Sequence, residues 1–140
     1  MHIAITGTYT DLYQIAMGQA YFLGGEGKWQ ATFDYFFRKA PSKGGYTVFA
    51  GLSDALAMLH DLHFSGEDID YLASLGFDAQ YLKHLAQLRF RGTVHGVREG
   101  DVIFPTEPVL RVSGNIIEVQ LVETMLLNVL NFQSLVATKA

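Results

Sequence analysis

Two side chains that could contact a small ligand lie at the start of the first predicted helix. Thr10 and Asp11 form a helix-start signal, and Asp11 and Tyr13 fall in the first turn, where free backbone amides favour anions. The Tyr13 ring could stack on a flat aromatic ligand, which is worth about 0.5–1.5 kcal/mol beyond the buried area. Residue type alone also allows a purely structural role, in which Asp11 caps the helix and Tyr13 packs.

A third candidate is the cation Arg38, which ends a very apolar strand-like segment. Phe33, Tyr35, Phe36 and Phe37 precede it. The planar guanidinium carries a fork of donors that suits phosphate. It could also simply extend into solvent.

Metal-binding and nucleophilic patterns are nearly missing from the sequence. His60 and His63 are three residues apart, but no carboxylate pattern completes a zinc site, and there are no cysteines. A histidine near the end of a helix is favoured by the helix dipole without any ligand. No glycine-rich phosphate loop or Ser-His-Asp arrangement can be argued. The sequence therefore predicts no metal site and no catalytic residue of its own.

A line of uncharged polar residues runs along the last predicted helix, in steps of three or four. We call it the polar line; its members are Gln120, Thr124, Asn128, Asn131, Ser134 and Thr138. Residues at this spacing share one helix face. An ordinary solvent-facing stripe is one interpretation. Large apolar neighbours favour another, in which the line is buried and bonds to protein outside this chain.

That last helix is predicted to run unbroken from Asn115 to Ala140. Its apolar residues leave no face free, which is typical of a buried helix. No glycine, proline or cap stops it at Ala140. We therefore expect the helix to dock on protein that these residues do not encode. Glu118, Gln120 and Glu123 are among the polar residues that argue against a membrane span.

The elements before this helix indicate one α+β domain. Helices are predicted from Asp11 to Gly24, from Leu52 to His60 and after the possible caps Ser65 and Asp78. Strands are predicted at Ala31–Arg38, paired with Tyr46–Ala50, and at Thr93–Val97, Val102–Phe104 and Val109–Ser113, with a hairpin turn at Glu99-Gly100-Asp101. We expect a small mixed or antiparallel sheet with helices packed on it, ending in the long buried helix.

Composition limits the classes of partner. A chain of 140 residues that is 49 % apolar can form one domain with a real core. The formal net charge of -4 argues against nucleic acid as the main partner. A cytoplasmic location is the expectation.

Taken in order, these pieces resemble the N-terminal portion of nicotinate phosphoribosyltransferases, which are type II phosphoribosyltransferases. The matching stretches are Thr10-Asp11-Leu12-Tyr13-Gln14 with Met17; Phe33-Asp34-Tyr35-Phe36-Phe37-Arg38 with Pro41; Gly45; Ala50-Gly51-Leu52; Asp70-Tyr71-Leu72; Glu99-Gly100; Phe104-Pro105; Gln120 to Thr124; and Ser134 to Ala140. Single motifs are weak, but the ordered set spans almost the whole chain.

The resemblance implies an enzyme that condenses nicotinate with phosphoribosyl pyrophosphate, forming nicotinate mononucleotide in NAD salvage. It implies ATP hydrolysis through a phosphorylated histidine, Mg²⁺, and a homodimer whose head-to-tail subunits share each active site. Tyr13 then matches the tyrosine that stacks on the pyridine ring from the neighbouring subunit. Asp11 matches the acidic residue beside it, and Arg38 an arginine that reaches phosphate groups.

The resemblance also implies that most of the catalytic machinery is missing. In this family the phosphorylated histidine and the phosphate loops belong to an α/β barrel, which we expect after residue 140. Residues 1–140 are then a single N-terminal domain that binds no ATP or Mg²⁺ and is inactive alone. The alternative is a non-catalytic, small β-rich binding or assembly module.

Overall fold

The computed structural model describes residues 5–41 and 43–140. The helices are α1 (Leu12–Leu23), α2 (Leu52–His60), α3 (Gly66–Ser74), α4 (Ala79–Ala86), α5 (Ile116–Leu121) and α6 (Glu123–Lys139). The strands are β1 (Gln30–Tyr35), β2 (Thr47–Val48), β3 (Thr93–Gly96), β4 (Val102–Ile103) and β5 (Leu110–Asn115). None of the helices that the structure describes is long and apolar enough to cross a membrane.

The strands form two small antiparallel sheets. Strand β5 lies at the centre of the larger sheet, in the order β1-β5-β3, and Val112 is the register partner of both Phe33 and Val94. The smaller sheet pairs β2 with β4. Helices pack on both sheets, since α5 contacts β1 and β5, and α6 contacts β2. This arrangement confirms the predicted α+β class.

The core lies where α5 packs on β1, β5 and α1, with α4 against α1 and α6 against α5. Val112, Ile117, Tyr81 and Leu126 are completely buried there. The Tyr81 hydroxyl donates to the Ile15 carbonyl at 2.8 Å, so this buried polar group is satisfied. The contact joins α4 to α1 and fixes the orientation of α1, which carries the first candidate residues.

The predicted caps of α3 and α4 are confirmed. The Ser65 hydroxyl accepts from the Asp68 amide at 3.1 Å, and the Asp68 carboxylate accepts from the Ser65 amide at 2.8 Å, forming a capping box. Burial alone would raise the pKa of Asp68. Hydrogen bonds from the Ser65 amide and from the hydroxyls of Thr6, Thr8 and Ser65 outweigh this effect and lower the pKa.

The lowered pKa of Asp68 predicts a pH-dependent mutant effect. Because folding favours the carboxylate, its stabilisation is present above the unfolded pKa of about 3.9 and is lost as the pH falls through the folded pKa. Asp68→Asn should therefore reduce the free energy of unfolding by about 1 kcal/mol at pH 7 and by less at pH 3. Urea titrations at both pH values test this, with the exposed Asp70→Asn as the control. A pH-independent loss would contradict it.

The predicted strand pairings were wrong. Strand β2 pairs with β4 and not with the strand at residues 30–35, and β3 pairs with β5, so the turn at Glu99-Gly100-Asp101 does not close a hairpin. The turn itself exists, with Gly100 at φ 87°. The Glu99 carboxylate accepts from the amides of Gly51 and Leu52 at 2.6 and 2.8 Å, at the start of α2. This contact joins the turn to the start of α2.

The prediction of one helix from Asn115 to Ala140 was also wrong. The chain turns at Val122 between α5 and α6. The Thr10 hydroxyl donates to the Leu121 carbonyl at 3.1 Å, which removes an acceptor from the helix ladder at this point. A side chain inserted into the ladder is a known cause of a helix break.

Most members of the polar line bond within the chain, so for them the prediction of partners outside the chain was wrong. Gln120 donates to the Gln14 carbonyl at 2.8 Å, and the Asn128 amide donates to the Tyr9 hydroxyl at 3.2 Å. Ser134 exchanges hydrogen bonds with the backbone of Ala50. Polar side chains on this face thus fasten α6 to the N-terminal half of the chain.

The opposite face of α6 is open over its second half. Met125, Leu126 and Leu130 are buried, but Phe132 is 67 % exposed and Val136 is 53 % exposed. The sequence predicted that protein outside these residues covers this helix, and its exposed apolar side chains agree with that prediction, which stays untested. Its last two turns present apolar side chains to solvent.

Candidate functional site

Asp11 and Tyr13 lie together at the exposed start of α1. The Tyr13 side chain is 55 % exposed, so its ring is not used to fill the core. Asp11 is the N-cap residue by position, but its carboxylate accepts from the Thr124 hydroxyl at 2.8 Å, at the start of α6. The purely structural alternative, in which Tyr13 packs inside, does not hold.

Gln14 holds the start of α1 against the start of α6. It is 1 % exposed, and its side-chain nitrogen donates to the Glu123 carboxylate at 3.1 Å. Its side-chain oxygen accepts from the hydroxyl of Thr124 at 3.0 Å and from that of Thr10. The buried Gln14 side chain is thus a hub that bonds to Glu123, Thr124 and Thr10. These bonds fix the position of the turn that carries Asp11 and Tyr13.

Two carboxylates lie close to the Tyr13 ring. Desolvation, together with the negative charges of Glu123 and Asp11, raises the pKa of the Tyr13 hydroxyl. The side chain is therefore a neutral phenol at physiological pH, as a ring that stacks on an aromatic ligand should be.

A cavity of about 670 Å³ lies between residues 33–41 and helix α6; we call it the groove. The groove is lined by Phe33, Asp34, Tyr35, Phe36, Phe37, Arg38, Lys39, Pro41, Thr47, Val119, Gln120, Glu123, Leu127, Asn131, Ser134 and Leu135. Arg38 is exposed at its rim. A mainly apolar cleft of this size with a few polar groups is typical of binding sites.

Two buried polar atoms of the groove lack partners. Tyr35 is 6 % exposed and Gln120 is 5 % exposed, and both line the groove. Within the described residues, the Tyr35 hydroxyl and the Gln120 side-chain oxygen have no hydrogen-bond partner. Burial, followed by the charge of Glu123, raises the pKa of Tyr35 far above its usual value, so its hydroxyl remains a donor.

The structure brings Tyr13 and Asp11 together and places Arg38 in the groove. Glu123 links the two regions, because it lines the groove, accepts from Gln14 and acts electrostatically on Tyr13. Sequence reasoning missed Gln14 and Glu123. The polar line was the sequence feature that could have indicated them, because Gln120 and Thr124 lie near the same helix start.

The structure offers no obvious place for a metal ion. Among residues 5–41 and 43–140, no three His, Asp or Glu side chains cluster to hold one. His63 uses Nδ1 in a 2.8 Å contact with the Asp61 carbonyl.

A family model decides what this domain is. The model for the nicotinate phosphoribosyltransferase N-terminal domain matches residues 8–131, which include Asp11, Tyr13, Arg38 and Glu123. The chain belongs to the nicotinate phosphoribosyltransferase family. This excludes the alternative of an unrelated β-rich assembly module.

Relatives and solved structures agree with this family. A nicotinate phosphoribosyltransferase of Bacillus subtilis is 42 % identical over 133 residues, covering 94 % of this chain and 27 % of the relative. The crystal structure of the human nicotinic acid phosphoribosyltransferase matches with a TM-score of 0.87 and 38 % identity, over 93 % of this chain and 27 % of that one. The chain thus spans about a quarter of the length of the relatives it matches.

A more distant structure shares the fold. The nicotinate-nucleotide pyrophosphorylase of Pyrococcus furiosus matches with a TM-score of 0.65 at 19 % identity, covering 93 % of this chain and 27 % of that one. At that identity the likeness concerns the fold alone.

Proposed function

We propose that this chain is the N-terminal domain of an enzyme that forms nicotinate mononucleotide and pyrophosphate from nicotinate and phosphoribosyl pyrophosphate. The reaction belongs to NAD salvage and is coupled to ATP hydrolysis. The observation that carries the proposal is the match of residues 8–131 to the family's N-terminal domain. The exposed Tyr13 and Arg38 within that match support it.

Three residues contribute to substrate binding in this proposal. Tyr13 stacks its neutral ring on the pyridine of nicotinate. Asp11 lies beside it and is held by the Thr124 hydroxyl. Arg38 donates to phosphate groups of phosphoribosyl pyrophosphate, for which its fork of donors is suited.

The rest of the active site comes from other parts of the enzyme. We propose that an α/β barrel follows residue 140 and supplies the catalytic groups, including those that use ATP and Mg²⁺. Two subunits associate head to tail, so that Tyr13 and Arg38 reach the barrel of the partner subunit. Support comes from their exposure, since side chains that serve a neighbouring subunit must be open on their own domain. A cytoplasmic location is part of the same proposal.

A chimeric enzyme tests the proposal. Residues 1–140 replace the matching N-terminal segment of the Bacillus subtilis relative, which is 42 % identical. We expect the chimera to form nicotinate mononucleotide, measured as ATP-dependent product from nicotinate and phosphoribosyl pyrophosphate. The barrel segment alone is the negative control.

The double variant Tyr13→Ala, Arg38→Ala tests the site within the chimera. It should fold with an unchanged circular dichroism spectrum and lose most of the activity at subsaturating substrate. Full activity in the double variant would show that neither residue contributes to substrate binding. A folded but inactive unmutated chimera would contradict the proposed function.

A further inference from the structure

We infer that the Glu123 carboxylate stabilises the positive charge that forms while nicotinate is joined to the ribose of phosphoribosyl pyrophosphate. The inference rests on the proposed function and deepens it, because Glu123 is not among the three residues to which that proposal gives a role. The carboxylate contributes its charge to the step, and no proton is transferred.

Glu123 lies near both places at which substrate groups bind in the proposed function. It is exposed at the start of α6, and it lines the groove together with Arg38. Its charge also acts on the Tyr13 hydroxyl, so it lies near the ring that stacks on the pyridine. With the pyridine at Tyr13 and phosphate groups at Arg38, the ribose carbon that reacts must lie between them. A carboxylate near both residues is therefore close to that carbon.

A hydrogen bond holds the Glu123 carboxylate in place and leaves one of its oxygens open to a ligand. Glu123 Oε2 accepts from the buried Gln14 side chain at 3.1 Å. Across residues 5–41 and 43–140, Glu123 Oε1 has no hydrogen-bond partner, and no cation forms a salt bridge with this carboxylate. A charge that the fold has already positioned needs no reorganisation during the reaction, so its full effect is available.

A second carboxylate on the same network adds to the negative charge around the Tyr13 ring. Asp11 accepts from the Thr124 hydroxyl, which also bonds to the Gln14 oxygen. Neutral side chains thus hold two like charges near one ring, and among the described residues neither carboxylate is paired with a cation. This arrangement costs stability, because like charges repel each other. A positive charge that forms beside the two carboxylates offsets the repulsion.

The proposed reaction forms such a charge. The ring nitrogen of nicotinate attacks C1 of the ribose, and the bond from C1 to a pyrophosphate oxygen breaks, with its electron pair leaving on pyrophosphate. The lone pair of the nitrogen becomes the new bond, so a neutral pyridine turns into a pyridinium cation. The positive charge is present in the transition state and in the product, but not in the ring of free nicotinate. A carboxylate beside it therefore stabilises the transition state more than the ground state, which accelerates the step.

The alternative is that Glu123 only anchors Gln14 and stabilises the start of α6, where the helix dipole favours an acidic residue. Two substitutions separate charge from anchoring. Glu123→Gln removes the charge but keeps an oxygen that can accept from Gln14. Glu123→Asp keeps the charge, but its shorter side chain lies farther from Gln14. The role in charge stabilisation predicts a faster Asp variant, and a purely anchoring role predicts a faster Gln variant.

Single-turnover kinetics of the chimera described above test this order. The enzyme is in excess over nicotinate, and phosphoribosyl pyrophosphate is saturating, so the rate reports the chemical step without product release. Glu123→Gln should lower this rate by at least about tenfold, and Glu123→Asp by less. The matched control is Glu118→Gln, which should leave the rate unchanged. Glu118 lies in the first turn of α5, outside the groove, and accepts from the Arg91 amide at 2.7 Å.

Equilibrium binding supplies a readout that needs no turnover. Isothermal titration calorimetry measures the Kd of nicotinate and of nicotinate mononucleotide, whose ring carries the pyridinium charge. Glu123→Gln should weaken binding of the mononucleotide at least about threefold more than binding of nicotinate. An equal weakening of both ligands would show that the substitution only displaces the Tyr13 ring, and would overturn the inference.

The outcomes separate this inference from the proposed function. If the chimera is active and Glu123→Gln reacts as fast as Glu118→Gln, or faster than Glu123→Asp, the inference is overturned and the proposed function stands. A folded chimera that binds both ligands but forms no product would contradict the proposed function. The selective loss of mononucleotide affinity in Glu123→Gln would then still support the role of the charge. A folded chimera that binds neither ligand would overturn both.

Discussion

Arg38→Ala in the chimera is expected to raise the KM for phosphoribosyl pyrophosphate by about 10- to 150-fold. Hydrogen bonds to a charged group contribute about 1.5–3 kcal/mol, and each 1.4 kcal/mol corresponds to a tenfold change. Arg38 is exposed at the rim of the groove, so the substitution removes no core packing. Steady-state kinetics with nicotinate held at saturation measure the effect.

Two comparisons make the Arg38 result specific. Arg91→Ala removes an equally exposed cation outside the groove and should leave the KM unchanged. Arg38→Lys keeps the charge but loses the planar fork, so it should recover only part of the affinity. If Arg38→Ala and Arg91→Ala behave alike, Arg38 does not contact the phosphate.

Gln14→Met is expected to lower the free energy of unfolding by about 1–2 kcal/mol. The methionine has a similar size, but the Glu123 carboxylate loses the amide donor of Gln14, and the hydroxyls of Thr10 and Thr124 lose its oxygen as an acceptor. The two hydroxyls keep the Leu121 carbonyl and the Asp11 carboxylate as acceptors, and the exposed Glu123 can bond to water, so only part of the network is lost. Urea unfolding of the 140-residue chain measures the change.

The control for Gln14 is the exposed Gln80→Met on α4, which should change the free energy of unfolding by less than about 0.5 kcal/mol. The chimera adds a second readout, because the hub fixes the turn that carries Tyr13. There Gln14→Met should also raise the KM for nicotinate. If Gln14→Met lowers the free energy of unfolding no more than Gln80→Met does, the hydrogen bonds of Gln14 do not stabilise the domain.

Local signals in the sequence predicted the helices well. Gly24 ends α1, the Ser65–Asp68 pair caps α3, and Asp78 caps α4 through the Tyr81 amide, all as expected. Such signals act within one turn of helix, so neighbouring residues contain all the information.

Contacts between residues that are far apart in the chain could not be predicted from the sequence. The turn at Glu99 was recognised, but its carboxylate bonds to Gly51 and Leu52, which are 47 or more residues away. The strands on either side of the turn, β3 and β4, each pair with a different strand. The break at Val122 likewise depends on Thr10, a residue 111 positions from the carbonyl that it binds.

The candidate site was predictable in part. Asp11, Tyr13 and Arg38 follow from the resemblance, and their exposure agrees with a role outside the core. Gln14 and Glu123 carry ordinary residue types inside helices, and only their meeting across α1 and α6 marks them. The unpartnered Tyr35 hydroxyl could not be foreseen, because satisfaction is a property of the folded surroundings.

The KM for nicotinate of the chimera with Tyr13 replaced tests the central claim most directly. Tyr13→Ala should raise this KM by roughly 3- to 30-fold through loss of stacking and ring burial, while Tyr13→Phe, which keeps the ring, should stay within about threefold of the unmutated chimera. Tyr71→Ala, on an equally exposed tyrosine of α3, should have no effect. An unchanged KM for nicotinate in a folded, active Tyr13→Ala chimera would contradict the account.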